Sequence, residues 1–120
     1  MKNKTLVLGA SENPGRYSNM AINKLVSHKH DVVAIGKKAG SVNGVTINTQ
    51  PVPSDDIETV TLYLNQLHQK PYYDYILSLK PKRIIFNPGA ENEDLERLAA
   101  THGINVLEAC TLVMLSTGQY

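Results

Sequence analysis

The chain has 120 residues, of which 42% are hydrophobic and 19% charged, a balance typical of one globular domain rather than a disordered chain. The formal net charge of +1 gives no overall field that would attract nucleic acid or an anionic membrane. The single cysteine, Cys110, excludes an internal disulfide, and no apolar run approaches the roughly 20 residues of a membrane span. We therefore expect one domain over residues 1–120, located in the cytoplasm, without a nucleic acid or membrane partner.

The first third of the chain predicts a strand, a helix and a second strand. Residues 5–9 (TLVLG) are a continuous apolar run that stops at a glycine, as in a strand buried on both faces of a parallel sheet. Residues 17–28 carry a broad apolar stripe at helical spacing, and Tyr17 falls on this stripe. Residues 31–36 (DVVAIG) predict a second buried strand. This unit implies parallel strands joined by a right-handed crossover.

After the second strand the pattern becomes irregular and then resumes. Residues 37–56 lack a helical period, so only residues 45–48 are predicted as a strand and the rest as loop. Residues 57–64 are rich in β-branched side chains and predict a strand. A helix over residues 71–80 and a strand over residues 83–87 follow.

The last predicted helix has the clearest boundaries. Residues 92–103 begin at Asn92, a typical N-cap, and end at Gly103, a typical helix stop. Residues 104–109 predict a final strand, and a short tail follows it. Strands that alternate with helices indicate an α/β class with a three-layer fold. We expect a parallel sheet with the six strands in the order 3-2-1-4-5-6.

The loop after the first strand, VLGASENPGR (residues 7–16), is the expected ligand site. In folds of this class ligands bind beyond the carboxyl ends of the strands, where a helix amino terminus favours a phosphate. The small residues Gly9, Ala10 and Ser11 allow a phosphate to approach the backbone, and Arg16 offers a charge-assisted contact. The dinucleotide fingerprint G-x-G-x-x-G is not met, because Ser11 replaces its second glycine. The alternative is a glycine turn with a structural role only.

The end of the second strand discriminates among ligands. An NAD site needs an acidic residue there for the ribose hydroxyls, but Asp31 lies at the opposite end of the strand. The ligand end is followed by Lys37 and Lys38, which would attract a further phosphate on the ribose, as in NADP or coenzyme A. A solvated pair of loop lysines is the alternative. The pattern disfavours plain NAD.

Three segments in order, VLGASENPGRYSNMA, VVAIGKK and NPGAENEDLERLAATHGINVLEAC, resemble the small stand-alone CoA-binding domain proteins of bacteria. The same Rossmann-like module forms the CoA-binding part of succinyl-CoA ligase alpha subunits. The resemblance spans nearly the whole chain. It is most specific in the G-A-S-x-N-P-G-R segment combined with Gly89, the glycine ahead of the Asn-Glu pair.

The resemblance implies a binding site for coenzyme A or an acyl-CoA. The glycine loop would hold the pyrophosphate region with Arg16 at its rim, and Lys37 would lie near the phosphorylated adenosine. Residues 63–65 would form the other wall, where Leu64 and Asn65 replace the family's frequent pair of arginines. The residues predicted to bind the cofactor are Gly9, Ala10, Ser11, Asn13, Pro14, Arg16, Lys37, Tyr63, Asn65 and Gly89.

No catalytic residue and no metal site is predicted. The four histidines fall on different elements without metal-ligand spacing, and Cys110 has no adjacent histidine or lysine to activate it. The prediction is therefore a non-catalytic module for coenzyme A or an acyl-CoA. The alternatives are a small NADP-dependent reductase, a subunit that lends a CoA site to a ligase, and a degenerate member that acts through protein contacts. A homodimer is a further hypothesis, because the helix missing from residues 37–56 would leave apolar sheet surface to be covered.

Overall fold

The computed structural model describes residues 4–120, and its strands follow the predicted alternation with helices. The strands are β1 (Lys4–Ala10), β2 (Asp31–Gly36), β3 (Gly40–Val42), β4 (Val45–Asn48), β5 (Ile57–Leu62), β6 (Arg83–Phe86) and β7 (Asn105–Glu108). The helices are α1 (Tyr17–Ser27), α2 (Gln66–Gln69), α3 (Tyr73–Ser78), α4 (Glu93–Thr101) and α5 (Thr111–Ser116), with a 3-10 turn at Lys70–Tyr72 between α2 and α3.

The strands form one sheet in the order β3-β4-β2-β1-β5-β6-β7. Every neighbouring pair is parallel except β3 and β4, which are antiparallel. The predicted order of the six parallel strands and the Rossmann-like class are therefore confirmed. All parallel strands end on one side of the sheet, called the carboxyl end below, and begin on the other, the amino end.

Strand β3 corrects the prediction of a loop around residues 45–48. It pairs with β4 to form a hairpin at the edge of the sheet, with Ser41 opposite Thr46. The turn consists of Asn43 and Gly44, whose φ angles are 49° and 83°. Asn-Gly is the dipeptide that most favours such a two-residue turn, because both positions require positive φ. The signal for the hairpin was thus present in the sequence.

Two predicted boundaries after β5 are also wrong. The strand ends at Leu62 instead of residue 64, and the helix predicted over residues 71–80 begins as α2 at Gln66. Asn65 caps α2, since its side-chain oxygen accepts a hydrogen bond from the His68 N–H at 3.0 Å. Helix α2 has only four residues, too few to show a hydrophobic period in the sequence, so only its cap residue indicates where it begins.

Each face of the sheet carries its own apolar core. On one face, Ile22 and Leu25 of α1 and Leu115 of α5 pack against β1 and β4. On the other, Ile76 of α3 and Leu95 of α4 pack against β5 and β6. This gives the expected helix, sheet and helix layers. No helix in the described part of the chain is long and apolar enough to cross a membrane.

The hairpin also contributes to the first of these cores. Val42 and Ile47 are 6% and 1% exposed and pack with the α1 side chains. These two residues therefore need no second subunit to cover them, although the helix absent between β2 and β5 motivated the hypothesis of a homodimer.

The last residue of the chain packs at the amino end of the sheet. The Tyr120 hydroxyl is hydrogen-bonded to the Thr5 hydroxyl. The Arg83 guanidinium lies 4.5 Å from the centre of the Tyr120 ring, and the His30 ring meets it edge-on at 5.0 Å. These contacts hold the segment after α5 against β1 and β6.

Strand β7 is the other edge of the sheet and pairs only with β6. Its ends, Asn105 and Glu108, are exposed, whereas its two central residues are half-buried. Burial, and then a hydrogen bond with Glu108, raises the pKa of Glu96 on the neighbouring helix α4. A pair of carboxyl groups therefore lies beside this edge.

Candidate functional site

A cavity of about 770 Å³ opens at the carboxyl end of the sheet, where β1, β2 and β5 end side by side. This is the position at which ligands bind in open α/β sheets, because the strand order reverses there. Its walls come from the β1–α1 loop, the segment after β2, the segment after β5 and one residue after β6. They are formed by Gly9, Ala10, Ser11, Glu12, Asn13, Arg16, Tyr17, Ser18, Lys37, Lys38, Tyr63, Leu64, Asn65, His68 and Pro88.

Gly9 allows β1 to bend into the cavity. Its φ is +102°, and the pairing of β1 with β2 shifts by one residue between Leu8 and Ala10. A Cβ at Gly9 would lie 3.0 Å from the Tyr63 backbone carbon, so the space is closed as well as the conformation unusual. Glycine is the residue that adopts such a backbone without steric cost. A side chain here would move either the loop or the wall after β5.

The β1–α1 loop is held by its own side chains. The Ser11 hydroxyl oxygen accepts a hydrogen bond from Asn13 N–H at 3.1 Å, and the Asn13 side-chain oxygen accepts one from Gly15 N–H at 2.9 Å. From α1, the Asn19 side chain donates to the Ser11 carbonyl at 3.0 Å. The Ser11 hydroxyl still has its own proton to donate to a ligand.

The first turn of α1 faces the same cavity. Arg16 is the N-cap residue and no side chain caps the helix, so its first N–H groups have no side-chain partner there. Tyr17 and Ser18, the first two residues of α1, line the cavity. Tyr17 is 69% exposed, which corrects its assignment to the buried stripe. It lies in the turn that precedes the part of α1 packed on the sheet.

The segment after β2 supplies two further cations. Lys37 and Lys38 are exposed and line the cavity. They are brought close to the glycine loop because Gly36 packs against β1: a Cβ on Gly36 would lie 2.2 Å from the Ala10 carbonyl oxygen. Asp31 starts β2 at the amino end, away from the cavity, as its sequence position indicates.

One acidic side chain lies among these cations. Glu12 lines the cavity, and its Oε2 accepts a hydrogen bond from the Ser41 N–H of β3 at 2.9 Å. A Cβ on Gly40 would lie 2.2 Å from the Glu12 Cδ atom. The carboxylate therefore occupies space that is free only because residue 40 is a glycine.

The segment after β5 forms the opposite wall. Tyr63 N–H donates to the Leu8 carbonyl at 2.9 Å, and the Tyr63 ring packs towards α1 and α5. Its hydroxyl is buried near the Thr61 and Thr111 hydroxyls, which bond each other at 2.8 Å, and it makes no hydrogen bond of ordinary geometry with a described residue. Burial raises the pKa of Tyr63 to about 12, against the effect of these two hydroxyls.

A second cavity of about 230 Å³ adjoins the first. The two share Gly9, Lys37, Leu64 and His68. The remaining lining residues of the smaller cavity are mainly apolar: Ile35, Gly36, Leu67, Pro71 and Tyr72. Leu64 thus provides apolar wall at a position where the resembled family often has an arginine.

Eight of the ten residues predicted to bind a cofactor line the larger cavity. The other two, Pro14 and Gly89, do not. Gly89 has a φ of +91° and donates its N–H to the Glu91 side chain at 2.9 Å, beside the lining residue Pro88. Seven further lining residues were not among these ten: Glu12, Tyr17, Ser18, Lys38, Leu64, His68 and Pro88. His68 was not predicted because α2 was not predicted. The three-residue spacing from Asn65 to His68, typical of a helix cap, was the available signal.

Below the cavity lies a buried polar network. The Asn87 side chain donates to Thr61 Oγ1 at 2.7 Å and accepts from the Thr111 N–H at 2.9 Å. A proline at residue 111 would lack this N–H. Cys110 is half-buried at the start of α5. Within residues 4–120, no three histidine, cysteine or acidic side chains are grouped to hold a metal ion.

Comparison with solved structures places the chain beside small single-domain proteins. A crystal structure of an uncharacterized protein is 48% identical, covers 100% of this chain and 99% of its own, and has a TM-score of 0.95. A hypothetical protein from Pyrococcus horikoshii OT3 is 24% identical, covers 97% of this chain and 82% of its own, and has a TM-score of 0.85.

A larger enzyme contains the same fold. The dinucleotide-forming acetyl-coenzyme A synthetase 1 of Ca. Korarchaeum cryptofilum, solved in complex with phosphate and ADP, is 22% identical. The match covers 89% of this chain but only 25% of the synthetase, with a TM-score of 0.71. No curated protein matched the chain.

The family models give the more specific result. The model described as "CoA binding domain" matches residues 3–116, which include the glycine loop, both lysines and the wall after β5. Because the match spans nearly the whole chain, the chain belongs to the CoA binding domain family.

Proposed function

We propose that the protein binds coenzyme A or an acyl-CoA in the paired cavities at the carboxyl end of the sheet, without a catalytic step of its own. The larger cavity has a volume within the roughly 300–1,000 Å³ of small-molecule sites. Membership of the CoA binding domain family supports this ligand class.

The observation that carries the proposal is the position of Lys37 on the wall shared by the two cavities. The nucleotide end of coenzyme A joins three chemically different parts: a pyrophosphate, a ribose with an additional phosphate, and an adenine ring. The Gly9–Ser11 loop and the uncapped start of α1 suit the pyrophosphate. Lys37 suits the ribose phosphate, and the apolar walls of the smaller cavity suit the ring.

A thermal-shift experiment with coenzyme A, acetyl-CoA, dephospho-CoA, NADP and NAD tests the proposal. A ligand at about 100 times its dissociation constant stabilises the folded protein by about 2.7 kcal/mol. We expect the largest shift with coenzyme A or acetyl-CoA and the smallest with NAD. Mass spectrometry after overnight incubation should recover the acyl-CoA unchanged.

Other outcomes of the thermal-shift experiment would favour the alternative functions. A larger shift with NADP than with coenzyme A would favour the reductase, because NADP also carries a phosphate on the adenosine ribose. No shift with any of the five compounds would contradict the proposal and favour a protein that acts through protein contacts.

A further inference from the structure

Glu12, an exposed residue, places a negative charge on the wall of a cavity whose other charged side chains are positive. It lines the cavity together with Arg16, Lys37 and Lys38. The carboxylate is fixed by two features of β3: the Ser41 N–H, which donates to Glu12 Oε2 at 2.9 Å, and the absence of a side chain on Gly40. The charge is therefore held in a defined place by a strand 29 residues further along the chain.

We propose that Glu12 is a specificity-determining residue that weakens the binding of highly charged phosphate ligands and so favours ligands with fewer charges. For the ligand class this inference rests on the proposed function. The charges of the three cations and of Glu12 sum to +2. Coenzyme A carries two phosphate groups in the pyrophosphate and one more on the ribose. Each negative charge on the ligand is repelled by Glu12, so the penalty grows with the number of phosphates.

Glu12 could act through its charge or through its hydrogen bond to the Ser41 N–H, and a substitution can separate the two effects. Glu12→Gln keeps an acceptor oxygen for the Ser41 N–H and removes only the charge. Asp55→Asn is the matched control: it makes the same change of charge at an exposed residue before β5, at the amino end of the sheet.

The experiment measures dissociation constants for coenzyme A, dephospho-CoA and inorganic pyrophosphate by calorimetry at low and at physiological salt. Glu12→Gln should bind coenzyme A about threefold to tenfold more tightly than the unsubstituted protein at low salt, with a smaller gain for dephospho-CoA. The gain should shrink at 0.15 M salt, where charges are screened over about 8 Å. The melting temperature of Glu12→Gln and the affinities of Asp55→Asn should stay unchanged.

Three results would decide against one or both proposals. Equal or weaker binding of coenzyme A by Glu12→Gln would overturn the role of Glu12 and leave the proposed function intact. Binding of pyrophosphate but not of coenzyme A would overturn the proposed function, and the pyrophosphate affinities of the two proteins would then decide the role of Glu12. If neither protein bound any of the three probes, both proposals would be wrong.

Discussion

Lys37 is the residue whose substitution best separates the parts of the proposed ligand. We expect Lys37→Ala to weaken coenzyme A binding about tenfold to a hundredfold, because a charge-assisted contact contributes about 1.5–3 kcal/mol. Binding of dephospho-CoA, which lacks the ribose phosphate, should hardly change. Calorimetric titration of both ligands measures the difference.

The control for this substitution is Lys82→Ala. Lys82 is also exposed but precedes β6 at the amino end of the sheet, where its backbone N–H donates to the Glu58 carbonyl at 2.8 Å. Its removal should leave both affinities unchanged. Equal losses of the two ligands on Lys37→Ala would place this lysine away from the ribose phosphate.

The buried hydroxyl of Tyr63 makes no hydrogen bond of ordinary geometry with a described residue. Burying a polar group without a hydrogen bond costs about 1–3 kcal/mol, so we expect Tyr63→Phe to raise the free energy of unfolding by about 1 kcal/mol. Tyr75→Phe makes the same change where the hydroxyl donates to the Val52 carbonyl at 2.7 Å, and it should lower stability instead. Urea unfolding of both variants checks the opposite signs. A loss of stability in Tyr63→Phe would mean that its hydroxyl has a partner.

At the residue scale, the sequence predicted most of the residues that line the candidate cavity, but fewer of the contacts among them. Gly9 and Lys37 were predictable because each follows a recognisable buried strand whose end must face the ligand. The placement of Glu12 was not predictable, because it depends on Gly40 and Ser41, which are distant in sequence and belong to a strand without a periodic signal. The buried hydroxyl of Tyr63 likewise follows from packing that no local pattern records.

Among the elements, the start of α4 and the segment α2–α3 are joined by one buried amide. Asn92 is 1% exposed; its oxygen accepts from Leu95 N–H, and its Nδ2 donates to Gln69 Oε1 and to the Tyr73 hydroxyl, each at 2.8 Å. Gln69 in turn donates to the carbonyl oxygens of Leu64 and Ala90. These bonds connect the wall after β5 with the loop after β6.

We expect Asn92→Ala to lower the free energy of unfolding by about 2–4 kcal/mol. The change removes a helix cap, worth about 1 kcal/mol, and leaves the buried Gln69 oxygen without its donor. Asn65→Ala removes an exposed cap only and should cost about 1 kcal/mol. Chemical unfolding measures both. Equal costs would show that the buried bonds of Asn92 contribute nothing beyond the cap.

The strands and helices differ in how strongly the sequence pattern predicts them. Strands β1, β2 and β6 are apolar runs buried on both faces, so their number and order followed from the alternation with helices. Helix α4 could be bounded because Asn92 and Gly103 mark its ends. Strand β3 has three residues and helix α2 has four, too few to show a hydrophobic period. Only the turn residues after β3 and the cap residue of α2 indicate them in the sequence.

Across the whole molecule, the amino end of the sheet links stability to pH through His30. Burial, together with the nearby charge of His28, lowers the pKa of His30 below its ordinary value of 6.5, and Glu58 opposes this effect. The folded protein therefore binds a proton less readily than the unfolded chain. The contribution of His30 to stability is complete above pH 6.5 and is lost as the pH falls through the lowered pKa.

We therefore expect the free energy of unfolding to fall between pH 7.5 and pH 5, and this fall to be smaller in His30→Gln. Urea unfolding at the two pH values provides the measurement. The same dependence in both proteins would assign the effect to other groups.

The exposed edge of the sheet at β7 has a consequence for self-association. An open strand edge offers unpaired backbone groups to the strands of other molecules, and charged side chains beside it oppose such pairing. At β7 that charge comes from Glu108 and its neighbour Glu96. Because the pKa of Glu96 is raised, mild acid neutralises it before it would neutralise an ordinary glutamate. The half-buried Val106 and Leu107 would then lie beside a less protected edge, so acidification should promote aggregation through β7.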